Sequence, residues 1–198
     1  MKLAVPTIFA IWAFLLLRHT SGGGVSKTPD EIVFRVFVVF DSRHHATFLH
    51  DLRGSTTYVI TFFNTINLIF KSMTQPKIQF IVESTTATTN GKNISAAEQL
   101  FVVDSDWEID AHRTLNRIGD AIERNTDYLA TDIVFVMSKK KVFTGTKGKK
   151  SHSPQGLTYE GGICNNRTKI VIIHDDAKWF VGLPNAAFQL ARLLGAPT

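Results

Sequence analysis

The sequence predicts an α/β domain built on a mostly parallel twisted sheet, with one antiparallel edge strand and about three helices. Two patterns carry that expectation. Short β-prone runs, apolar nearly throughout, alternate with longer stretches whose apolar side chains recur at helical spacing, as in parallel strands joined by crossover helices. A third observation sets the edge: residues 156–164 (GLTYEGGIC) are glycine-punctuated and mix polar with apolar side chains, unlike a strand covered on both faces.

Taken in order, the first run is 33–40 (VFRVFVVF), and 78–82, 133–137 and 170–173 repeat its type. Each reads as a strand covered on both faces. Between the first two, Val59, Phe62, Phe63, Ile66, Ile69, Phe70 and Met73 form one helical stripe, and Gln75-Pro76 ends it because proline disfavours helix at the preceding residue. Residues 84–95 are polar with Asn90-Gly91 and read as a loop. A second, weaker stripe follows at Ala111, Leu115, Ile118, Ile122 and Leu129. The segment 156–163 is expected to run antiparallel to its neighbours and to turn at Asn165-Asn166. A last helix begins near Pro184, a residue suited to the first turn, and stops at Gly195.

The 198 residues, 44% of them hydrophobic, suffice for one domain with a sizeable core. Met1 and Lys2 precede an apolar stretch, 3–17, of the length expected for a secretory signal. That stretch is too short for a comfortable membrane span, and Pro6 interrupts it. The expected organisation is a signal peptide over 1–22 and one domain over 25–198, secreted and without a membrane span after cleavage. Without Lys2 and Arg18 the formal net charge falls from +5 to +3, too mild an excess to argue for nucleic acid. The sequons at Asn93 and Asn166 suit a secreted surface. Cys164 is the single cysteine, which in an oxidising compartment implies a missing partner, an intermolecular bridge or a buried thiol.

Few motifs carry chemistry outright. Asp41-Ser42-Arg43-His44-His45 with His50-Asp51 has the composition of a metal cluster, but it follows a strand in a polar stretch and reads as solvated loop. His174-Asp175-Asp176 reads as a strand end and turn, and no G-x-S-x-G elbow is present. Lys139, Lys140, Lys141, Lys147, Lys149 and Lys150 lie within twelve residues without an acidic residue among them. Such a run fits a solvated flexible loop or a polyanion site; for a secreted protein the polyanion would be a glycosaminoglycan or an acidic protein surface.

In order, GLTYEGGIC, TKIVIIHDD and AAFQLARLLGAPT resemble the edge strand, following strand and active-site helix of reprolysin-type (adamalysin-like) metzincin metalloproteases, with the flavour of tick salivary members. The resemblance implies a metzincin-like upper subdomain. In that family the helix carries H-E-x-x-H-x-x-G-x-x-H, because residues four apart share a helix face and the glycine turn brings a third histidine to the same zinc. The glutamate is the general base on the zinc-bound water. Here the frame keeps Gly195, but Phe188, Arg192 and Thr198 stand at the ligand positions and Gln189 at the base position. A ring without a lone pair, a permanent cation and a lone hydroxyl are poor zinc ligands, and an amide takes no proton at neutral pH.

The resemblance further implies a lower subdomain with a Met-turn after the helix, which would hold a disulfide partner for Cys164, and a pro-segment after the signal. The expectation is a domain that lacks both. The expectation is therefore a secreted metalloprotease-like protein without an intact zinc site, acting by binding and needing no cofactor. Its edge strand, Gly156, Leu157, Thr158, Tyr159, Glu160, Gly161 and Gly162, would capture an extracellular protein or peptide by strand addition. The alternative is a divergent or incomplete copy of an active secreted zinc endopeptidase.

Overall fold

The structure, a computed structural model, describes residues 29–48, 51–73, 76–87, 100–105, 107–124, 130–146, 149–152 and 155–197. The signal segment, His50, Gln75, Asn93, Leu129, Lys147 and Thr198 lie outside the described residues. The chain runs β1 (Glu31–Phe40), α1 (Ser42–Ala46), α2 (Leu52–Phe70), β2 (Lys77–Ala87), β3 (Val103–Ser105), β4 (Glu108–Asp110) and α3 (Ala111–Ile122). It continues through β5 (Ile133–Ser138), β6 (Lys141–Thr146), β7 (Lys149–Ser151), β8 (Gly156–Thr158), a 3-10 turn (Gly162–Cys164), β9 (Ile170–His174) and α4 (Leu183–Leu193).

The main sheet has the order β2-β1-β5-β9-β8. Its first four strands are parallel, and β8 is antiparallel to β9. This is the α/β class the sequence predicts. Helices α2 and α4 cover one face, where Phe62, Phe63, Ile66, Ala186, Leu190 and Leu193 meet Phe40, Phe135, Met137, Val171 and Ile173. Helix α3 covers the other, setting Leu115, Ile118 and Ile122 against Val134, Val136, Ile170 and Ile172. The starts of α2 and α3 are capped by carboxylates: Asp51 accepts from the Arg53 and Gly54 amides, and Asp110 from the Arg113 amide.

The structure corrects several expectations. Strands β5 and β9 are buried on both faces, but β1 is buried only toward its C-terminal end and β2 is an edge strand, with Val33 and Ile81 exposed. The α3 core reaches Val39 but not these residues. Ile69 is exposed at the margin of the α2 stripe. Residues 84–87 extend β2 rather than opening a loop, after a bulge that skips Glu83 in the pairing with β1. A second sheet, β3-β4-β6-β7, was not foreseen.

Part of the lysine-rich stretch belongs to that second sheet, Lys141 in β6 and Lys149 and Lys150 in β7. Strands β6 and β7 pair antiparallel, Thr144 opposite Ser151 and Thr146 opposite Lys149, so these three lysines stand on strands rather than in a loop. Lys150 Nζ donates to Glu108 Oε2 at 2.6 Å and also reaches Asp104. These hydrogen bonds hold its amine above the usual lysine range. Its charge is therefore spent inside the sheet.

The edge segment is shorter than expected. Only Gly156–Thr158 is strand; Gly161 takes a left-handed conformation (φ 64) and breaks the extended chain before the 3-10 turn. The turn at Asn165 is present, with Asn165 Oδ1 accepting from the Arg167 amide at 2.9 Å. Cys164 is exposed, which removes the buried-thiol reading.

Candidate functional site

Two arrangements stand out, one at the C-terminal ends of the parallel strands and one where β8 meets α4. At the first, order reverses between β1 and β5, the switch point at which open α/β sheets commonly bind ligands. Here the protein's own carboxylates fill it. Asp41, 3% exposed, caps α1 through the His44 amide at 2.5 Å. It also accepts from the Ser138 hydroxyl and from the Lys139 amide at 3.0 Å.

Beyond it, Asp175 is fully buried and accepts from His44 Nε2 at 3.2 Å, the Tyr58 hydroxyl at 2.8 Å, and the Ala177 and Gly182 amides at 3.0 Å each. Burial pushes the Asp175 carboxyl up, but the bonds from His44, Gly182, Tyr58 and Ala177 outweigh it and hold the group below the usual carboxylate range. Burial, reinforced by the bond to Asp175, drives the Tyr58 hydroxyl well above its ordinary value.

This network shapes the loop entering α4. Ala177 (φ 62) and Phe180 (φ 54) both adopt left-handed backbone without being glycine, a strained choice that needs outside support. Asp175 supplies it at Ala177. At Phe180 the amide donates to the Tyr58 hydroxyl at 3.2 Å and the ring stacks on Tyr58 at 4.4 Å. His44 and His45, expected in solvated loop, are instead buried, with His44 stacked on Phe40 at 5.1 Å. The sequence reading missed this cluster; its visible signals were an aspartate before two histidines and the pair Asp175-Asp176 after a strand. Among the described residues, no group of three or more His, Cys, Asp or Glu side chains is placed to hold a metal ion.

The second arrangement collects the residues singled out in the C-terminal helix. Ala186, Gln189, Leu190 and Leu193 are the buried stripe of α4, so Gln189 sits in an apolar row with no exposure. Its Nε2 donates to the Gly156 carbonyl at 3.1 Å. The register explains that acceptor. His174 N–H donates to Gln155 O, and Leu157 stands opposite Ile172, so the alternation of antiparallel pairs turns the Gly156 and Thr158 backbone groups toward the unpaired edge, where both residues are buried. Gln189 takes one of them.

Gly156 makes this approach feasible, since a Cβ there would lie 2.9 Å from the Ile172 carbonyl oxygen and 3.4 Å from Gln189 Cγ. Gly156→Ala is expected to destabilise the domain by about 1–3 kcal/mol through overpacking, read as a lower urea midpoint with unchanged slope.

Past β8 the chain straddles the sheet edge. The Tyr159 hydroxyl donates to Asn116 of α3 at 2.6 Å, and the Gly161 amide donates to the Arg192 carbonyl at 2.9 Å. Arg192 Nη2 lies 3.5 Å from Glu160 Oε2, and Phe188 is exposed. Gly195 (φ 98) closes the helix, with its amide on the Arg192 carbonyl and the Ala196 amide on the Ala191 carbonyl. Gln189 and Arg192 thus stand beside the edge segment, with Phe188 exposed on the same helix, and the three do not fit a zinc ion. One has no donor atom, one spends its amide on a strand carbonyl, and one is a cation facing a carboxylate.

The lysines divide. Lys141 and Lys149 are exposed, Lys139 and Lys140 are half-buried, and Lys139 Nζ donates to Thr47 Oγ1 at 3.0 Å. Asn166 is exposed in its turn. No helix among the described residues is long and apolar enough to cross a membrane.

No family model matches this chain, and neither does any curated protein. Among solved structures, a chain in one described as "Structure of a chaperone-substrate complex" is similar in fold, with a TM-score of 0.54 at 10% sequence identity. The similarity covers 85% of this chain and 27% of that one, so this chain spans about a quarter of its neighbour's length. At such identity the likeness is one of fold alone.

Proposed function

We propose that the chain is a secreted metalloprotease-like binding protein of the reprolysin kind, in which the active-site helix has exchanged zinc ligation for a structural contact with the edge strand. The observation that carries the reading is Gln189, fully buried and bonded to Gly156 O. At the base position a glutamate would need water and metal beside it; this amide instead ties α4 to β8. The order of an antiparallel edge strand, a buried parallel strand and a glycine-stopped helix supports the resemblance.

The surface left for function is the unpaired edge of β8, where an extended protein or peptide segment adds as a strand through the Thr158 backbone groups and the Gly156 amide, the Gly156 carbonyl being held by Gln189. Purified protein is expected to hold no stoichiometric zinc and to leave peptide substrates intact with or without a chelator. Stoichiometric zinc together with chelator-sensitive hydrolysis would sink the reading.

The polyanion site is proposed for the exposed part of the lysine hairpin. Replacing Lys141 and Lys149 with serine is expected to lower the salt concentration that elutes the protein from an immobilised sulfated glycosaminoglycan. Lys150→Gln is expected to leave elution nearly unchanged, because that charge is already paired with Asp104 and Glu108. Equal loss in both variants would remove the assignment.

A further inference from the structure

We propose that Arg192 and Phe188 form a receptor for the free C-terminal carboxylate of an extended peptide whose last side chain is apolar. The inference rests on the strand-capture reading and deepens it by naming which part of the peptide is read. A guanidinium carries five N–H donors in a planar fork. Among the described residues, that of Arg192 has one carboxylate contact, to Glu160 at 3.5 Å, well beyond the 2.7–2.9 Å of a strong charge-assisted bond. Its Nε is buried without a hydrogen-bond partner. The side chain is 21% exposed, so water compensates it poorly. Glu160, half exposed on a turn, is a weak occupant that an incoming carboxylate can replace.

The surroundings select the ligand. Phe188 stands one helical turn before Arg192, on the same face of α4, and offers an exposed ring beside the cation. Beyond the Gly156 carbonyl that Gln189 holds, the unpaired backbone groups of β8 lead toward the same place, because the turn after the strand is anchored through Gly161 N–H to the Arg192 carbonyl. Strand β8 is three residues long and the chain folds over α4 directly after it, so an added strand has no edge to follow beyond this point and ends there. A terminal carboxylate meets the guanidinium bidentately while the last side chain covers Phe188.

The test uses acetyl-Val-Ser-Val-Leu with a free carboxylate, its C-terminal amide, and acetyl-Val-Ser-Val-Asp amide, titrated into the full chain by calorimetry. The Arg192 Nε–Hε resonance is followed in parallel. The free acid is expected to bind about tenfold tighter than either amide and to shift that resonance, as for a charge-assisted pair replacing a neutral contact. Arg192→Gln is expected to abolish the preference. Glu160→Gln, a change at a half-exposed turn that leaves the fold intact, is expected to tighten the acid several-fold by removing the internal competitor. Equal binding of acid and leucine amide overturns the inference while strand capture stands. Equal binding of the acid and the aspartyl amide overturns the terminal selection, and no binding of any peptide overturns both readings.

Discussion

Asp175→Ala is expected to lower the stability of the folded domain by about 3–5 kcal/mol, the range for removing one partner from a buried charged network. Four donors lose their acceptor at once: His44 Nε2, the Tyr58 hydroxyl, and the Ala177 and Gly182 amides. The left-handed backbone at Ala177 loses its support with them, and the Tyr58 hydroxyl that holds the Phe180 amide loses its own acceptor. For a domain of this size the loss corresponds to a fall in Tm of roughly 6–20 °C. Thermal unfolding of the variant measures it, and a change within about 1 kcal/mol would show that the network is ornamental.

The same network sets a pH dependence. The Asp175 carboxyl is depressed in the folded protein, so its contribution is present above the unfolded value of about 3.9 and is lost as pH falls through the lower folded value. Stability of the wild type is expected to decline in that acid window, and Asp175→Asn is expected to flatten the decline. Chemical unfolding at a series of pH values below 5 reads the difference.

Gln189→Glu restores the residue expected at the base position of the resembled family, yet it is expected to destabilise the domain by about 2–3 kcal/mol or more at neutral pH, since the new acceptor is charged. A carboxylate cannot donate to the Gly156 carbonyl, which would lose the 3.1 Å bond it now accepts. The new charge would also be buried in a row of Ala186, Leu190 and Leu193. Burial raises a carboxyl pKa, and a protonated glutamic acid can again donate to Gly156 O. The deficit relative to wild type is therefore expected to shrink as pH falls through the raised value and to grow above it. Melting curves at pH 4.5 and 7.5 decide this; a variant as stable as the wild type at both would remove the staple role assigned to Gln189.

The resemblance singled out Gln189 and Arg192 but could not say what they do. Their spacing on a helix follows from the 3.6-residue period, and the glycine stop follows from the left-handed turn at Gly195. Whether Gln189 faces solvent or Gly156 O depends on how α4 lies across β8. That is a contact between segments 33 residues apart, and no local pattern encodes it. The lysine run shows the same division: composition declares the charge, while the pairing of Lys150 with Asp104 and Glu108 removes part of it.

The sequence by itself determined the α/β class, four strands of the main sheet, the apolar stripes of α2 and α3, the helix that stops at Gly195, and the antiparallel edge at Gly156, because those follow from periodicity and glycine placement along a few turns or residues. The tertiary structure alone decided the short β8, the second sheet, the burial of His44, and the union of His44, Tyr58 and Asp175. The physical reason is range. A polar side chain is affordable in a core only when a distant partner meets it, so the residues that read as loop and solvent, Asp41, His44 and Asp175, became the buried centre once the ends of β1, β5 and β9 came together.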